Sequence, residues 1–353
     1  MYLCRLFFGI MQKELFFTLL DSVIQTPKRI TVLSHVNPDG DAIGSSLGFS
    51  QFLRQLGHEV EVIVPNAFPD FLAWMPGASN IRIYDKETEV CDRILDQTDC
   101  LAILDFNHPS RAGLIQNKLK SLEVTKILID HHRDADYSSF FCALSEMEVS
   151  STSELVAETI LHYGEGFINA SMATNILVGI ITDTGSFAHS IFSPATFSIC
   201  AKLIEFSPSY NQIHRLVYDT FSEDRLRLLG YAISNKMEVM DEFATSIIAL
   251  NKEELASFNY QVGDTEGIVN YPLSMKKIRM AVLVTERQGV IRFSFRSKGD
   301  FSVHELAQKH FNGGGHTNAA GGTLSCSYSE ALDKLHRILP EYRDLLNKTE
   351  EAI

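Results

Sequence analysis

Short apolar runs alternate with amphipathic stretches along the first half of the chain. Five apolar runs, several rich in β-branched residues, predict strands: ITVLSH (30–35), VEVIVP (60–65), IRIY (81–84), CLAILDF (100–106) and KILIDHH (126–132). Continuous apolar runs are typical of strands buried on both faces of a parallel sheet. Helical spacing predicts helices over residues 41–56, with Gly57 as C-cap, and over 153–162 and 170–181. This alternation predicts a doubly wound α/β domain.

The pattern changes near residue 210. Residues 212–240 predict one long helix with charge pairs on its exposed face. Beyond it, ATSIIAL (244–250), MAVLVTE (280–286) and VIRFSFRS (290–297) predict strands, and residues 302–310 and 329–346 predict helices. We therefore expect a smaller α+β second domain. The expected organisation is a first domain at residues 1–205, linker helices at 206–241 and a second domain at 242–353.

The composition is that of a globular protein with an excess of acidic residues. The 353 residues include 31 basic and 44 acidic ones, which gives a formal net charge of −13. This charge argues against the binding of long nucleic acid, which requires a basic face. It allows a short anionic ligand in a local basic pocket. It also fits bound divalent cations, which would cancel part of the negative charge.

The cysteines and the N-terminus bear on the cellular compartment. The six cysteines form no C-x-x-C pair, and we interpret them as free thiols in a reducing compartment. The N-terminal apolar run, residues 6–11, is far shorter than the ~20 residues that span a bilayer. We therefore expect a cytoplasmic protein with an amphipathic first helix. The sequence leaves open whether translation starts at Met1 or Met11.

Polar side chains stand where the predicted strands end. Asp39 and Asp41 lie just beyond the first run, Asp105 near the end of the fourth, and Asp130 at the end of the fifth. Ligands of an open α/β sheet bind at the carboxyl ends of its strands. We therefore expect one rim to gather the imidazole and carboxylate groups of this region: His35, Asp39, Asp41, Asp105, His131, His132 and, from the end of a predicted helix, Asp183.

Such a group predicts bound cations, because carboxylates gathered at one rim are costly unless cations lie among them. Oxygen ligands with a few imidazoles suit Mn²⁺, with Mg²⁺ or Co²⁺ as alternatives. Six or seven ligands exceed the needs of one ion, so we expect two, about 3.5–4 Å apart. In the competing interpretation, Asp39-Gly40-Asp41 is a turn and Asp41 caps the next helix. Similarly, SSTSE (150–154) predicts a capping box from Ser151 to Glu154, with a hydroxyl near the ions as the lesser alternative.

A glycine-rich segment, NGGGHTNAAGG (312–322), lies in the second domain. We interpret its five glycines and His316 as incompatible with the interior of a strand or helix. Consecutive glycines present backbone N–H groups that favour anions, although a flexible connector is the alternative. The preceding RFSFRSK supplies Arg292, Arg296 and Lys298, and Arg296 can hold a phosphate in a bidentate grip. We expect a pocket for one terminal phosphate or a nucleotide.

Four of these segments, HVNPDGDAIGSSLG, LDFNHPSR, IDHHRD and ITDTGSF, resemble the four motifs of the DHH phosphoesterase family. FRSK followed by GGGHTNAAGG resembles the signature of the associated DHHA1 domain. The resemblance is to the nanoRNase/pAp phosphatase subgroup, which degrades very short RNA and dephosphorylates 3′-phosphoadenosine 5′-phosphate (pAp). It implies a Mn²⁺-dependent two-metal hydrolase, with its active site in a cleft between a DHH and a DHHA1 domain.

The resemblance also implies roles for individual residues. His35, Asp39 and Asp105 would hold the first ion. The second ion would be held by four residues, Asp41, Asp105, His131 and Asp183. His132 would face the scissile phosphate, which makes His132 and Asp105 the implied catalytic residues. The other end of the substrate would contact Arg296, Ser297, Gly313, Gly314, Gly315 and His316, and Arg111 would reach a substrate phosphate or serve only at the surface.

The resulting hypothesis is hydrolysis of short single-stranded oligoribonucleotides to mononucleotides, together with removal of the 3′-phosphate of pAp. Under this hypothesis the protein binds neither membranes nor long duplex nucleic acid, and it could form a homodimer. Two alternatives keep the chemistry: a phosphodiesterase for cyclic or linear dinucleotides, and an exopolyphosphatase-like hydrolase. A nucleotide-binding regulator without activity is disfavoured, because every residue of the metal motifs is present.

Overall fold

The structure, a computed structural model, describes residues 2–133, 137–188, 192–206, 209–287 and 289–348, with side chains from residue 12 onward. The chain divides into two compact units, which we call unit 1 (Met1–Thr220) and unit 2 (Phe221–Ile353). Each unit has its own six-stranded sheet and its own hydrophobic core. Among the described residues, no helix is long and apolar enough to cross a membrane.

Unit 1 is built on a parallel sheet. Its strands are β1 (Arg29–Leu33), β2 (Glu59–Val64), β3 (Arg82–Ile83), β4 (Cys100–Leu104), β5 (Thr125–Asp130) and β6 (Cys142–Ser145). Their spatial order is β3-β2-β1-β4-β5-β6, and all neighbours pair in parallel. The chain therefore winds outwards in one direction from β1 and in the other from β4. The predicted doubly wound α/β fold is confirmed.

Apolar cores lie on both faces of this sheet. Leu104 and Ala102 of β4 belong to one core, whereas Leu101 and Ile103 belong to the other. This two-sided burial explains why the strand sequences are continuously apolar rather than alternating. The helices of the unit are α1 (Tyr2–Ile24), α2 (Gly40–Gln55), α3 (Thr88–Gln97), α4 (Gln116–Ser121), α5 (Thr152–Tyr163), α6 (Ala170–Asp183), α7 (Pro194–Phe206) and α8 (Tyr210–Tyr218).

Glycines bring α2 and α6 unusually close together. A Cβ atom at Gly44 would lie 2.5 Å from the carbonyl oxygen of Asn175, and one at Gly40 would overlap the Thr182 side chain. Distances this short do not occur between real Cβ atoms and backbone oxygens, so the two helix axes could not approach as they do with larger residues. The contact places the beginning of α2 beside the end of α6.

Unit 2 contains a mixed sheet. Its strands are β7 (Met237–Met240), β8 (Thr245–Leu250), β9 (Met280–Arg287), β10 (Val290–Ser297), β11 (Gly314–His316) and β12 (Ala319–Leu324), in the order β11-β12-β10-β9-β8-β7. Only β8 and β9 pair in parallel among these strands. The helices are α9 (Glu223–Asn235), α10 (Lys252–Ser257), α11 (Val303–His310), α12 (Tyr328–Ile338) and α13 (Arg343–Leu346). The predicted smaller α+β domain is confirmed.

The two faces of the second sheet pack against different partners. One face forms a core with α11 and α12. The other face packs, over β8 and β9, against α9, α10 and the 3₁₀ segment Ile268–Ser274. Neighbouring residues along β10 therefore point to different surroundings, which matters for the arginines of this strand.

The single helix predicted for residues 212–240 is wrong. The chain ends α8 at Tyr218 and begins α9 after Ser222, whose hydroxyl oxygen accepts a hydrogen bond from the Arg225 N–H at 3.0 Å. The last four residues of the predicted helix, 237–240, instead form β7, which pairs antiparallel with β8. A helix cap and pairing with a neighbouring strand therefore outweigh the helical periodicity of this stretch.

The glycine-rich segment also differs from expectation, because it contains β11 and the first residues of β12. Gly314 pairs antiparallel with Gly321, and His316 pairs with Ala319. A Cβ atom at Gly315 would lie 2.5 Å from the carbonyl oxygen of Ala319. The glycines here allow the strand backbones to approach closely. They do not mark a loop, as the sequence had suggested.

Smaller differences concern single elements. The predicted strand IRIY shortens to β3, the strand β6 had no counterpart in the prediction, and the helix predicted for 329–346 divides into α12, a 3₁₀ turn and α13. The first helix is amphipathic over its described side chains: Phe16 and Leu20 are buried, whereas Glu14 and Thr18 are exposed.

Candidate active site

The turn between β1 and α2 carries the first two predicted ligands. His35 lies two residues beyond β1, and its Nδ1 is 2.9 Å from the carbonyl oxygen of Val36. Asp39 is the N-cap of α2, since its Oδ1 accepts hydrogen bonds from the Asp41 N–H at 3.1 Å and the Ala42 N–H at 3.0 Å. Its second oxygen, Oδ2, is 4.0 Å from His35 Nε2. Asp39, and not Asp41, therefore caps the helix.

Asp41 has a different partner, the N-terminus of α5. Its Oδ2 accepts a hydrogen bond from the Thr152 N–H at 2.7 Å, and its Oδ1 accepts one from the Ser153 N–H at 2.8 Å. These two N–H groups lie in the first turn of the helix, where they have no partner within the helix and where the helix dipole favours a negative charge. The Asp41 carboxylate is thereby fixed in an almost completely buried position.

Asp105 occupies the centre of the site. It follows β4 directly, with a left-handed backbone (φ 65°) and its N–H donating to the Ile129 carbonyl at 3.1 Å. Its Oδ1 accepts a hydrogen bond from the Thr152 hydroxyl at 2.9 Å, and its Oδ2 is 3.2 Å from His35 Nε2. Because β1 and β4 are adjacent at the point where the strand order reverses, this is where an open α/β sheet binds its ligand.

His131 connects three carboxylates. It follows β5, and its Nε2 lies 3.5 Å from Asp105 Oδ1, 3.8 Å from Asp41 Oδ2 and 3.7 Å from Asp183 Oδ2. Asp183 is the last residue of α6, which the close contact of α2 with α6 brings to this position. The carboxylates of Asp41 and Asp183 therefore meet at one imidazole, although 142 positions separate them (183 − 41).

His132 is oriented by hydrogen bonds behind it. Its Nδ1 is 2.8 Å from Asp130 Oδ1, and the other oxygen of Asp130 accepts a hydrogen bond from Asn107 Nδ2 at 2.7 Å. Asn107 Nδ2 also lies 2.9 Å from the carbonyl oxygen of Arg133. Asn107 thus connects the loop after β4 to the loop after β5. The hydrogen bond between one ring nitrogen of His132 and the fully buried carboxylate of Asp130 fixes the orientation of the imidazole.

Two of the resulting groups match the expected division between two ions. His35, Asp39 and Asp105 offer donor atoms that all lie within 4.8 Å of one another, and so does a second set, Asp41, His131 and Asp183. A further set consists of Asp105, Asp130 and His132. These donors are carboxylate oxygens and imidazole nitrogens, a combination that fits divalent cations such as Mn²⁺. The structure thus brings all six predicted ligands together in candidate metal clusters.

The electrostatics of the site also fit cations. Burial raises the pKa of Asp41 well above its usual value, and the neighbouring Asp105 charge raises it further. Burial likewise raises the pKa of Asp105, with the Asp39 charge acting in the same direction. Burial lowers the pKa of His35, and so does the nearby Arg111 guanidinium. Divalent cations would stabilise the ionised carboxylates that burial disfavours, and the neutral imidazole that burial favours at His35 is the form that binds a metal ion.

Arg111 lies beside the metal clusters. Its Nη1 is 3.5 Å from the carbonyl oxygen of Asp105, and its own carbonyl accepts a hydrogen bond from the Val36 N–H at 2.7 Å. The residue therefore connects the loops that follow β1 and β4. Its predicted contact with a substrate phosphate stays a prediction.

In unit 2, the sheet register brings Arg296 and His316 onto the same face. Arg296 is opposite Ala319 of β12, and Ala319 is opposite His316 of β11, so the three residues form one row across the strands. Directly opposed residues share a face, and two strand spacings separate Arg296 from His316 by roughly 10 Å. Both side chains are partly exposed.

The remaining predicted substrate residues have structural partners. The Ser297 hydroxyl donates to the Phe301 carbonyl at 2.7 Å and accepts from Asn318 Nδ2 at 2.9 Å, on the buried face of β10. The Gly315 N–H donates to His304 Nδ1 at 3.1 Å. Contacts of Ser297 and of the segment 313–315 with a substrate stay predictions.

Three residues that hydrogen-bond to predicted site residues received no individual role from the sequence, although a hydroxyl of SSTSE (150–154) near the ions was the lesser alternative. Thr152 lies within the segment interpreted as a capping box. Only half of the box is present: the Ser151 hydroxyl accepts a hydrogen bond from the Glu154 N–H, whereas the Glu154 carboxylate accepts hydrogen bonds from Ser150 and not from the Ser151 N–H. Asn107 lies within the motif LDFNHPSR but received no role of its own, and His304 of unit 2 carried no pattern that could have singled it out. Their roles depend on loops and strands that meet only in the folded chain.

The rim of the open parallel sheet collects carboxylates and imidazoles in clusters that could hold divalent cations, an arrangement typical of metal-dependent hydrolases of phosphoester bonds. The chain belongs to the DHH family. The model of the DHH family, N-terminal domain, matches residues 29–180, and that of the DHHA1 domain matches residues 243–347.

Named relatives agree with this assignment. The chain is 30% identical to the bifunctional oligoribonuclease and PAP phosphatase NrnA of Thermus thermophilus, over 90% of either chain. It is 28% identical to the protein of the same name from Bacillus subtilis, over 90% of this chain and 94% of that one. Among solved structures it resembles an exopolyphosphatase-related protein from Bacteroides fragilis, with a TM-score of 0.88, 39% identity and coverage of 95% and 98% of the two chains.

Proposed function

We propose that this protein is a Mn²⁺-dependent phosphoesterase that hydrolyses short oligoribonucleotides to mononucleotides and removes the 3′-phosphate of pAp. The observation that carries the proposal is the pair of three-residue clusters at the rim of the parallel sheet, in which Asp105 of the first cluster also lies 3.5 Å from His131 of the second. The names of the relatives from Thermus thermophilus and Bacillus subtilis support the choice of substrates.

In this proposal the first ion is held by His35, Asp39 and Asp105, and the second by Asp41, Asp105, His131 and Asp183. Two such ions supply hydroxide at neutral pH and charge stabilisation for a phosphoryl group. The protein's own contribution is to keep the ligands in position before substrate binds. The N–H groups of α5 hold Asp41, and the Thr152 hydroxyl holds Asp105. Fixed ligands avoid the cost of reorganising them during the reaction.

His132 is assigned to the scissile phosphate. Its hydrogen bond to Asp130 fixes the orientation of the ring beside Asp105, whose Oδ1 is 3.6 Å from His132 Nδ1. An imidazole in this position stabilises negative charge that develops on the phosphoryl group. Arg296 and His316 of unit 2 are assigned to the part of the substrate that does not react, since a guanidinium can hold a phosphate through two parallel hydrogen bonds.

A second candidate keeps the chemistry and changes the substrate to polyphosphate. It is favoured by the name of the Bacteroides fragilis protein, which shares 39% of its residues with this chain. Polyphosphate lacks a base and a sugar, so it would use the metal clusters and the basic residues alone.

One assay distinguishes these substrates. The purified protein with Mn²⁺ is given labelled diadenylate, pAp, cyclic di-AMP and polyphosphate in parallel, and turnover is followed by chromatography. We expect diadenylate and pAp to be hydrolysed fastest. Faster hydrolysis of polyphosphate or of the cyclic dinucleotide would reject the proposed substrate, and no turnover of any compound would reject the proposed activity.

The assignment of Arg296 is tested in the same assay. Arg296→Gln should raise KM for diadenylate about tenfold, the loss expected for one charge-assisted contact of ~1.4 kcal/mol. Hydrolysis of a small phosphodiester without a nucleotide should change far less. Arg227→Gln, on an exposed surface of α9, removes the same charge and serves as the control. Equal losses for both substrates would show that Arg296 does not act on the nucleotide.

A further inference from the structure

The carboxylate of Glu154 is buried without a cationic partner. The side chain lies in the first turn of α5 and is 1% exposed. In the part of the chain that the structure describes, no basic side chain forms an ion pair with it. A buried carboxylate is costly unless hydrogen-bond donors surround it, and the dipole at the start of a helix stabilises it further. The donors around Glu154 therefore show which parts of the chain it holds in place.

The first donors lie at the start of α5. Glu154 Oε2 accepts a hydrogen bond from the Ser150 N–H at 2.9 Å and another from the Ser150 hydroxyl. In the opposite direction, the Glu154 N–H donates to the Ser151 hydroxyl oxygen at 3.1 Å. Three hydrogen bonds thus close the chain over residues 150–154, and Thr152 and Ser153 lie inside this closed turn.

The enclosed residues are the ones that hold two of the proposed metal ligands. The N–H groups of Thr152 and Ser153 donate to the two oxygens of Asp41 at 2.7 and 2.8 Å. The Thr152 hydroxyl donates to Asp105 at 2.9 Å. Because the peptide unit is planar, the direction of each N–H group is set by the backbone of the turn. A rotation of the turn would therefore disturb these hydrogen bonds together.

A third donor connects α5 to α7. The Thr196 hydroxyl lies 3.1 and 3.0 Å from the two carboxylate oxygens of Glu154, and it accepts a hydrogen bond from the Ser193 N–H at 2.9 Å. Thr196 is fully buried in the first turn of α7, which follows α6 and its last residue, Asp183, along the chain. Glu154 thus joins the beginnings of two helices beside the site.

We propose that Glu154 is a positioning residue of the metal site: its carboxylate keeps the first turn of α5 in the orientation in which the turn holds Asp41 and Asp105. This inference rests on the proposed function, which requires the ions. Glu154 contacts neither ion nor substrate in this role and acts only through α5. Loss of its carboxylate should weaken Mn²⁺ binding at both ion sites, since Asp41 belongs to one cluster and Asp105 to the other.

The test is a calorimetric titration with Mn²⁺ of Glu154→Leu and Glu154→Gln, at a temperature where circular dichroism shows the proteins to be folded. Leucine removes both acceptor oxygens, whereas glutamine keeps one for the Ser150 N–H. Glu154→Leu should bind Mn²⁺ about tenfold more weakly, the lower end of the range for partners behind metal ligands. Glu154→Gln should recover most of the affinity, which shows that the hydrogen bonds are responsible.

A milder, matched pair decides the question if Glu154→Leu does not fold. Thr196→Val removes one donor to Glu154 and should weaken Mn²⁺ binding about threefold, roughly the loss of one neutral hydrogen bond. Thr159→Val is the control. Thr159 is also fully buried, and its hydroxyl donates to the Leu155 carbonyl of its own helix at 2.8 Å, two turns beyond Thr152. This variant should bind Mn²⁺ as the wild-type protein does.

Kinetics separate positioning of the ligands from other roles. At saturating Mn²⁺, kcat and KM of Thr196→Val for diadenylate should return close to the wild-type values, because the ion sites are then filled. Activity that stays low at saturating Mn²⁺, unchanged Mn²⁺ affinity in the folded Glu154 and Thr196 variants, or an equal loss of affinity in Thr159→Val overturns the inference. If the wild-type protein binds Mn²⁺ but hydrolyses neither diadenylate nor pAp, the proposed function fails, and the titration still decides on Glu154.

Discussion

At the scale of single residues, Thr152 links two carboxylates of the site. Its N–H donates to Asp41 and its hydroxyl donates to Asp105, so one residue orients a carboxylate of each proposed ion site. The sequence allowed the carboxylates to be predicted, because polar residues at the ends of apolar strands are conspicuous. It did not single out Thr152, because a hydroxyl at the start of a helix is ordinarily explained by capping.

Thr152→Val should weaken the binding of Mn²⁺ about tenfold or more. The substitution preserves shape and the N–H to Asp41, but it removes the hydroxyl that orients Asp105, and partners behind metal ligands typically affect affinity 10- to 100-fold. Thr152→Ser keeps the hydroxyl and should behave like the wild-type protein. Isothermal titration with Mn²⁺ measures the change. Equal affinities for the valine and serine variants would show that this hydrogen bond does not support metal binding.

At the scale of elements, the packing of α2 against α6 determines the site. The helical periodicity of both segments allowed the helices to be predicted, but nothing in the periodicity tells which glycines lie against another backbone. Gly44 lies against the backbone of α6 and Gly40 against the Thr182 side chain, and this close contact brings the ligands at the start of α2 to Asp183 at the end of α6.

Gly44→Ala should destabilise the protein by about 1–3 kcal/mol, the usual cost of overpacking, because the added methyl group must displace the backbone at Asn175. The matched control is Gly230→Ala in the middle of α9, where no atom lies within 4 Å of the added Cβ. The control should be stabilised by up to about 1 kcal/mol, since alanine is the better helix former. Chemical denaturation measures both. A neutral effect of Gly44→Ala would contradict the close helix contact.

The glycine hairpin and the stretch 212–240 illustrate where element prediction from sequence fails. In the hairpin, close strand pairing and a φ of 145° both select glycine at Gly315, so the residue type suggested a loop although the segment pairs as a strand. In residues 237–240, the pairing of β7 with β8 overrides a helical pattern. In both cases pairing with the next strand along the chain decides the structure, and neither helical periodicity nor glycine content reports that pairing.

At the scale of the whole molecule, two units with separate cores divide the proposed work. The sequence was sufficient to predict a parallel sheet with a polar rim in the first unit and a smaller α+β fold in the second. Those features follow from strand length, apolar continuity and the position of Asp and His residues. The hydrogen bonds that orient the site could not be predicted, because they join loops that are far apart in sequence.

The stabilisation of the protein by divalent ions should increase with pH. The pKa values of Asp41 and Asp105 are raised in the folded protein, so these groups stabilise the metal-free fold below their unfolded pKa and lose that contribution as pH rises through the folded pKa. Bound ions require ionised carboxylates and remove this loss. Thermal unfolding of Mn²⁺-loaded and EDTA-treated protein between pH 5 and pH 8 should show a growing difference in Tm. A difference that shrinks with pH would contradict the proposed ligands.

The most direct test of the account counts the ions. Equilibrium dialysis against Mn²⁺, followed by metal analysis, should give two ions per chain for the wild-type protein. Asp105→Asn, which retains the size of the side chain and removes the charge that the first cluster shares with the second, should lower the affinity of both sites. A wild-type chain that binds a single ion, or an Asp105→Asn variant that binds two ions as tightly as the wild-type chain does, would contradict the two-ion site.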